Sequence, residues 1–294
     1  MQICPRRSVL YMPGSNARAL EKAKSIPADG LILDLEDAVA PEAKEAARAQ
    51  ACAAVKAGGY GERELVIRIN GLATPWGLAD LEAAAAAAPN AVLLPKPGTG
   101  EDILRASDAL ARAGAPDRTR LWAMIETPLA VLNLADIAAA SQRHGARLTC
   151  FVLGTNDLVK ETRADLSLNR RPALYWLSAA ITAARAYGLD VLDGVYNNLG
   201  DAEGLRRECL HGRRLGFDGK TLIHPDQVAV ANEVFAPTAA EVAFARQIIA
   251  AFARPENVGK GVIKVEGRMV ELLHAETARR TVAIAEAIER MRAS

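Results

Sequence analysis

An excess of charge of either sign is missing from this chain: 36 Lys and Arg face 35 Asp and Glu, a formal net charge of +1. That balance carries no footprint for nucleic acid. No uninterrupted apolar run reaches the roughly 18 residues of a membrane helix, and Met1 to Arg7 lead straight into a strand-like segment without a signal-peptide pattern. A cytoplasmic protein without a membrane partner is expected. Cysteine is scarce, and Cys4, Cys52, Cys150 and Cys209 show neither C-x-x-C nor Cys/His spacing, so no disulfide framework or zinc site is indicated. They read as small buried residues. With 50% hydrophobic and 24% charged residues, disorder, collagen and coiled coil are excluded.

What is present is an alternation. Short β-branched and Leu-rich runs at Ser8–Met12, Gly30–Asp34, Leu65–Asn70, Ala91–Lys96, Leu121–Glu126, Leu148–Leu153, Asp190–Val195 and Lys220–Ile223 alternate with longer Ala-rich stretches of helical composition. The helices are expected at Asn16–Lys24, Pro41–Lys56, Trp76–Ala88, Glu101–Ala113, Leu129–Ser141, Pro172–Tyr187, Ala202–Leu215 and Asp226–Phe235. Eight such units fit a (β/α)8 TIM barrel of the α/β class better than an open sheet. Continuous apolar strands such as Leu31-Ile-Leu33 are what burial on both faces requires. From Pro237 the alternation stops, and a helix, a glycine-bearing β-like segment (Gly261–Val270) and a charged amphipathic helix (Leu272–Arg292) follow. The expected division is a barrel over 1–236 and a helix–hairpin–helix extension over 237–294, which buries too little alone and packs on its own barrel or a neighbour's.

In such a barrel, chemistry sits at the C-terminal strand ends, and polar residues gather there: Asp34, Glu36 and Asp37, then Arg68 and Asn70, Lys96, Glu126, Asp157, Asp193 and His224. Singly, an Asp or Asn after a strand is often only the cap of the next helix. Together, these carboxylates around one mouth would repel one another without cations. Oxygen ligands without Cys or clustered His favour Mg2+ or Mn2+. Arg68 and Lys96 would supply charge suited to an enolate or carboxylate, or form structural ion pairs. His224 would act in the site or merely open the last helix. Near Pro13–Asn16, the basic residues Arg6, Arg7, Arg18, Lys22 and Lys24 read either as a solvated face or as a site for a phosphorylated cofactor.

The stretches Arg7-Ser-Val-Leu-Tyr-Met-Pro-Gly-Ser15, Leu33-Asp-Leu-Glu-Asp-Ala-Val39 with Lys44 and Arg48, Val66-Ile-Arg-Ile-Asn70 and Leu94-Pro-Lys96 resemble the citrate lyase β-subunit-like and malyl-CoA lyase family. Ile125-Glu-Thr127, Gly154-Thr-Asn-Asp157, Leu215-Gly-Phe-Asp-Gly-Lys220 and Ile223-His-Pro225 continue the resemblance in the family's order over nearly the whole chain. It implies a magnesium-dependent barrel, trimeric or hexameric, acting on CoA thioesters of short hydroxy acids such as malyl-, citramalyl- or citryl-CoA. By the same resemblance Glu126 and Asp157 would hold Mg2+, and Arg68 would meet the oxygen where negative charge develops. Glu36 and Asp37 would organise metal-bound water, Lys96 would contact substrate, and Arg7 and Lys22 would meet the CoA phosphates.

The family's CoA lyases carry a tail motif Gly-Lys-Met-Ile-Asp whose Asp reaches a neighbouring subunit's active site as acid/base. Here the matching stretch is Gly267-Arg-Met-Val-Glu271, whose carboxylate sits one methylene further out. The tail itself speaks for a stand-alone CoA enzyme. Carbon–carbon lyase is the leading expectation. Malyl-CoA hydrolysis, a metal-dependent aldolase on free hydroxy-keto acids and a silent scaffold subunit remain open beside it.

Overall fold

The computed structural model describes residues 4–293; the first residues of the Met1–Arg7 segment lie outside them. Eight strands pair in parallel with their sequence neighbours, and the last pairs with the first, so the sheet closes into a barrel. They are β1 (Ser8–Pro13), β2 (Gly30–Asp34), β3 (Glu64–Arg68), β4 (Ala91–Leu94), β5 (Arg120–Ile125), β6 (Leu148–Leu153), β7 (Asp190–Asp193) and β8 (Gly219–Leu222). Each lies within about two residues of its expected run, because an apolar run bounded by polar residues is a strong strand signal. The helices that connect and follow them are α1 (Ala17–Ala23), α2 (Lys44–Ala57), α3 (Gly77–Ala87), α4 (Gly100–Arg112), α5 (Pro128–Leu132), α6 (Leu134–Ala139), α7 (Thr155–Thr162), α8 (Leu174–Ala186), α9 (Ala202–Leu215) and α10 (Val228–Phe235).

Two departures concern these connections. The stretch expected as one helix over Leu129–Ser141 breaks at Asn133, whose side-chain amide donates to the Gly98 carbonyl at 2.7 Å and so ties the break to the preceding loop. And α7 is a short helix not expected from the sequence, since Thr155-Asn-Asp157 reads as turn; it starts directly behind Gly154.

Successive strand residues alternate between two layers. Val9, Ile32, Val66, Leu93, Trp122, Met124, Val152 and Leu192 form the barrel interior, whereas Leu10, Leu31, Leu33, Ile67, Leu94, Ile125 and Leu153 pack under the helices. This parity sorts the polar residues at the strand ends. Asp34, Arg68 and Glu126 stand two positions after Ile32, Val66 and Met124 and inherit their inward direction. Asp193 stands one position after Leu192 and faces the helices.

The chain divides by its contacts into Arg6–Phe235 and a second unit from Ala236 onward. In the second unit, α11 (Ala239–Phe252) and α12 (Leu272–Ala293) pair with an antiparallel hairpin of β9 (Val262–Val265) and β10 (Arg268–Glu271). Its own small core joins Ala245, Ile248, Ala251, Ile263, Val265, Val270, Ala275 and Ala278. The hairpin turns at Glu266 and Gly267, both left-handed with φ of 46° and 79°, as a two-residue turn between right-twisted strands demands. The stretch Pro225–Phe252 has the length and mean apolarity of a membrane span. It is not one unbroken helix: α10 ends at Phe235, and Thr238 opens α11 by accepting from the Glu241 amide.

Candidate active site

Register brings the first pair together, because Asp34 lies directly opposite Arg68 across β2 and β3. The guanidinium meets the carboxylate side-on, with Nε to Oδ1 and Nη2 to Oδ2 both at 2.6 Å. Its plane lies against the Tyr11 ring, 5.1 Å from the centroid. That leaves Nη1 toward the mouth, 3.0 Å from Asp37 Oδ2 and 2.9 Å from Glu36 Oε2. The second contact is an ion-pair approach without hydrogen-bond alignment, so Glu36 Oε2 has no hydrogen-bond partner among the described residues. Lys96 Nζ donates to Glu36 Oε1 at 3.0 Å. Burial pushes the Glu36 carboxyl above its ordinary pKa against the pull of Arg68 and Lys96.

Glu126 lies one residue beyond β5 and is 0% exposed. Its Oε1 accepts from the Lys96 amide at 3.0 Å, a geometry that needs Lys96 in the left-handed region, φ 50°. Strain of that kind in a non-glycine residue is retained where surrounding contacts over-determine it. Among the described residues, Glu126 Oε2 has no hydrogen-bond partner. Burial, with Glu36 and Asp157 adding repulsion, pushes the Glu126 carboxyl up to about 8, although Lys96 and Arg68 oppose it. On Lys96 burial works the other way, but Glu126 and Glu36 outweigh it and hold the ammonium above its ordinary pKa. Asp157 approaches from the first turn of α7, where the helix dipole favours a carboxylate. Gly154 makes the approach of β6 possible, since a Cβ there would lie 2.4 Å from Glu126 Cβ and 2.8 Å from Oε2.

An orphaned, buried carboxylate oxygen beside a second carboxylate fits a hard cation, whose charge would reverse the penalty that keeps Glu126 protonated. Among the described residues no group of three or more His, Cys, Asp or Glu side chains gathers at one point. A cation on Glu126 and Asp157 would therefore complete its shell with water or substrate oxygens, as Mg2+ commonly does.

Thus Arg68, Glu36, Asp37, Lys96, Glu126 and Asp157 come together. Others do not. Asp193 is turned away into a buried cluster with Arg170 and Lys220, which corrects its expected place at the mouth. Arg7 is corrected likewise: it precedes β1 at the opposite end of the barrel, is 5% exposed, and is engaged side-on by Asp29 at 2.8 and 2.7 Å. Arg6 is similarly taken by Glu64 and Asp190, and Lys24 by Glu21, so of the basic cluster Arg18 and Lys22 stay exposed on α1. His224 caps the turn before α10 by accepting from the Asp226 amide. Glu271 closes β10, half-buried, in the second unit. Sequence reasoning undervalues Asp34, which orients Arg68, and does not single out Tyr11; the two-residue step from the apolar Ile32 to Asp34 is the available signal.

The model of the HpcH/HpaI aldolase/citrate lyase family matches residues 7–225. A (3S)-malyl-CoA thioesterase of Cereibacter sphaeroides is 50% identical over 293 residues, covering 100% of this chain and 99% of that protein. The citrate lyase subunit beta of Escherichia coli is 35% identical over 271 residues, 90% of this chain and 88% of that one. Among solved structures, CitE of Mycobacterium tuberculosis, in complex with magnesium, acetoacetate and coenzyme A, superposes with a TM-score of 0.74 at 30% identity, over 96% of this chain and 99% of that one.

Proposed function

The chain belongs to the HpcH/HpaI aldolase/citrate lyase family, and from that premise we propose that it is a Mg2+-dependent enzyme that hydrolyses the thioester of a malyl-type β-hydroxyacyl-CoA. The observation that carries the site assignment is the buried Glu126 carboxyl with its unpartnered Oε2 beside Arg68 and Lys96. Preference for hydrolysis over carbon–carbon cleavage is supported by the full-length likeness to a malyl-CoA thioesterase.

Bound through Glu126 and Asp157, Mg2+ would supply positive charge to the substrate's hydroxyl and distal carboxylate. Arg68 does the rest of the electrostatic work. Because Asp34 and Tyr11 hold its plane, Nη1 is preorganised to donate to the thioester oxygen as that oxygen becomes an oxyanion. Glu36 Oε2, free of hydrogen bonds of its own, accepts the proton of the attacking water. The C–S bond breaks, the thiolate leaves and takes up a proton, and free acid and CoA result. Lys96, charged between Glu36 and Glu126, steadies both carboxylates and binds the substrate, while Arg18 and Lys22 on α1 are the basic residues available to CoA phosphates.

Carbon–carbon cleavage is the second reading, favoured by the likeness to citrate lyase subunit beta. The same Arg68 would then stabilise an acetyl-CoA enolate. Incubating the protein with (3S)-malyl-CoA and Mg2+ separates the two: free thiol and malate mark hydrolysis, acetyl-CoA and glyoxylate mark cleavage, and neither product would sink both. Glu271 is assigned a proton-transfer role at a neighbouring protomer's site in a cytoplasmic trimer or hexamer. Mixed oligomers of Glu271→Gln and Glu126→Ala protomers should regain activity; demonstrably mixed but inactive oligomers would refute the shared site.

A further inference from the structure

Lys44 is the first residue of α2 and is buried. A cation at a helix N-terminus opposes the macrodipole, and a buried lysine ordinarily meets a carboxylate. Here the ammonium donates instead to two consecutive carbonyls, Leu35 at 2.8 Å and Glu36 at 2.6 Å, and lies 5.5 Å from the centre of the Trp76 ring. Helix stability does not explain that choice. The two carbonyls belong to the turn leaving β2, which is gripped from the other side as well: the Asp34 carboxylate accepts from the amides of Glu36 at 2.9 Å and Ala38 at 3.1 Å. Asn70 adds a second donor to the Leu35 carbonyl at 2.9 Å and is held by Asp80, which also takes Arg48 Nε. A strand-to-helix turn has no intrinsic reason to be held through both its amides and its carbonyls. What this one carries is the pair of side chains, Glu36 and Asp37, that reach Arg68 Nη1.

We infer that Lys44 is a positioning residue: by holding the Leu35 and Glu36 carbonyls it fixes the backbone from which Glu36 and Asp37 address Arg68 and the reacting thioester. The inference rests on the role given above to Arg68 and Glu36, but part of its test does not. Lys44→Met removes the charge and keeps the length. Its kcat should fall about 10²-fold, the cost of a misplacement near 1 Å, with KM for the thioester and Mn2+ affinity each within about threefold. Amide hydrogen exchange over residues 35–38 should speed at least tenfold while that of α2 holds. Lys44→Arg, which can still donate to both carbonyls, should recover most of the rate. A folded Lys44→Met with wild-type kcat, with unchanged exchange in the turn, or with metal affinity falling in step with kcat would overturn the inference. Should Lys44→Met fail to fold, Lys44→Gln, able to reach one carbonyl, is measured in the same way, and the same three results would overturn the inference. If the wild-type protein turns over no malyl-CoA, the functional reading fails, yet the exchange rate of the turn in the variant still decides whether Lys44 holds it.

Discussion

Two clusters of buried charge, one around β7 and β8 and the other at the C-terminal ends of β2 to β5, are built on opposite principles. Around β7 and β8, Asp193 accepts from Arg170 at 2.8 and 2.6 Å, from Lys220 at 3.1 Å and from the Gly194 amide at 2.9 Å. Lys220 donates in turn to Glu208 at 2.6 Å and to the Gly194 carbonyl. Around β2 to β5, the arginine, lysine and carboxylates are just as closely spaced, but Glu36 Oε2 and Glu126 Oε2 have no hydrogen-bond partner. Saturation of the Asp193 carboxylate marks the first cluster as structure, although His211 Nδ1 at its edge is left without a partner. The second leaves two carboxylate oxygens unpartnered in a fold where most buried polar atoms find a partner, which is why the proposed site is placed there.

The sharpest way to break this comparison is to delete one carboxylate from each cluster. Glu126→Ala or Asp157→Ala should abolish turnover and metal binding yet leave the fold standing. Asp193→Ala, by stranding Lys220 and Arg170 without their carboxylate, should cost about 3–5 kcal/mol of stability. Denaturant unfolding together with Mg2+-dependent turnover checks both. An Asp193→Ala protein of wild-type stability would remove the distinction.

Next in size, Arg68→Lys should lose about 10²–10³ in rate, the usual loss for one oxyanion donor. The charge survives, but an ammonium cannot bind Asp34 side-on and still point a donor at the mouth. Steady-state kinetics with a Tm control decides this. Full activity in the Lys variant would make Arg68 merely structural.

A subtler test uses the Glu126 proton. Its folded pKa of about 8 lies above the ordinary 4.5, so the fold favours the neutral acid. The metal-free protein should therefore lose stability as pH rises between those values, by up to about 1.4 kcal/mol per pH unit. Glu126→Gln should be free of this loss, and Mg2+ should bind wild type more tightly as pH approaches 8. Thermal melts in EDTA and titration calorimetry across pH 5–9 measure both; parallel melting curves for the two proteins would contradict it.

The smallest effect is expected at the edge of the Asp193 cluster. Burial first, and Arg170 second, hold His211 below its ordinary pKa of 6.5, so the fold favours neutral imidazole. Stability should decline as pH drops below about 6.5, by a fraction of a kcal/mol for so partly buried a group. His211→Gln should flatten that decline in acid-range melts.

These contrasts also show which features were legible beforehand. The barrel was, because eight apolar runs bounded by polar residues declare strands and helix-length Ala-rich spacers declare crossovers; the mouth residues followed from their place after those runs. Helix α7 was not, since eight residues opening on Thr-Asn-Asp carry no periodicity to read. Arg7 and Asp193 went astray for one reason: a one-dimensional pattern gives the end of a strand, but not which end of the barrel a charge faces or which layer it enters.

What the sequence determined alone was therefore the strand count, the barrel and the charged residues at the strand ends, because hydrophobic periodicity and strand-end position are local properties. Only the tertiary structure decided which of those charges are spent on one another. Partner saturation depends on register, as in Asp34 beside Arg68 and Asp193 beside Lys220. It depends also on parity across the wall, and on burial, which raises the energy of any carboxylate left without a partner. That is why Glu126, one acidic residue among 35, stands out only once the barrel has closed around it.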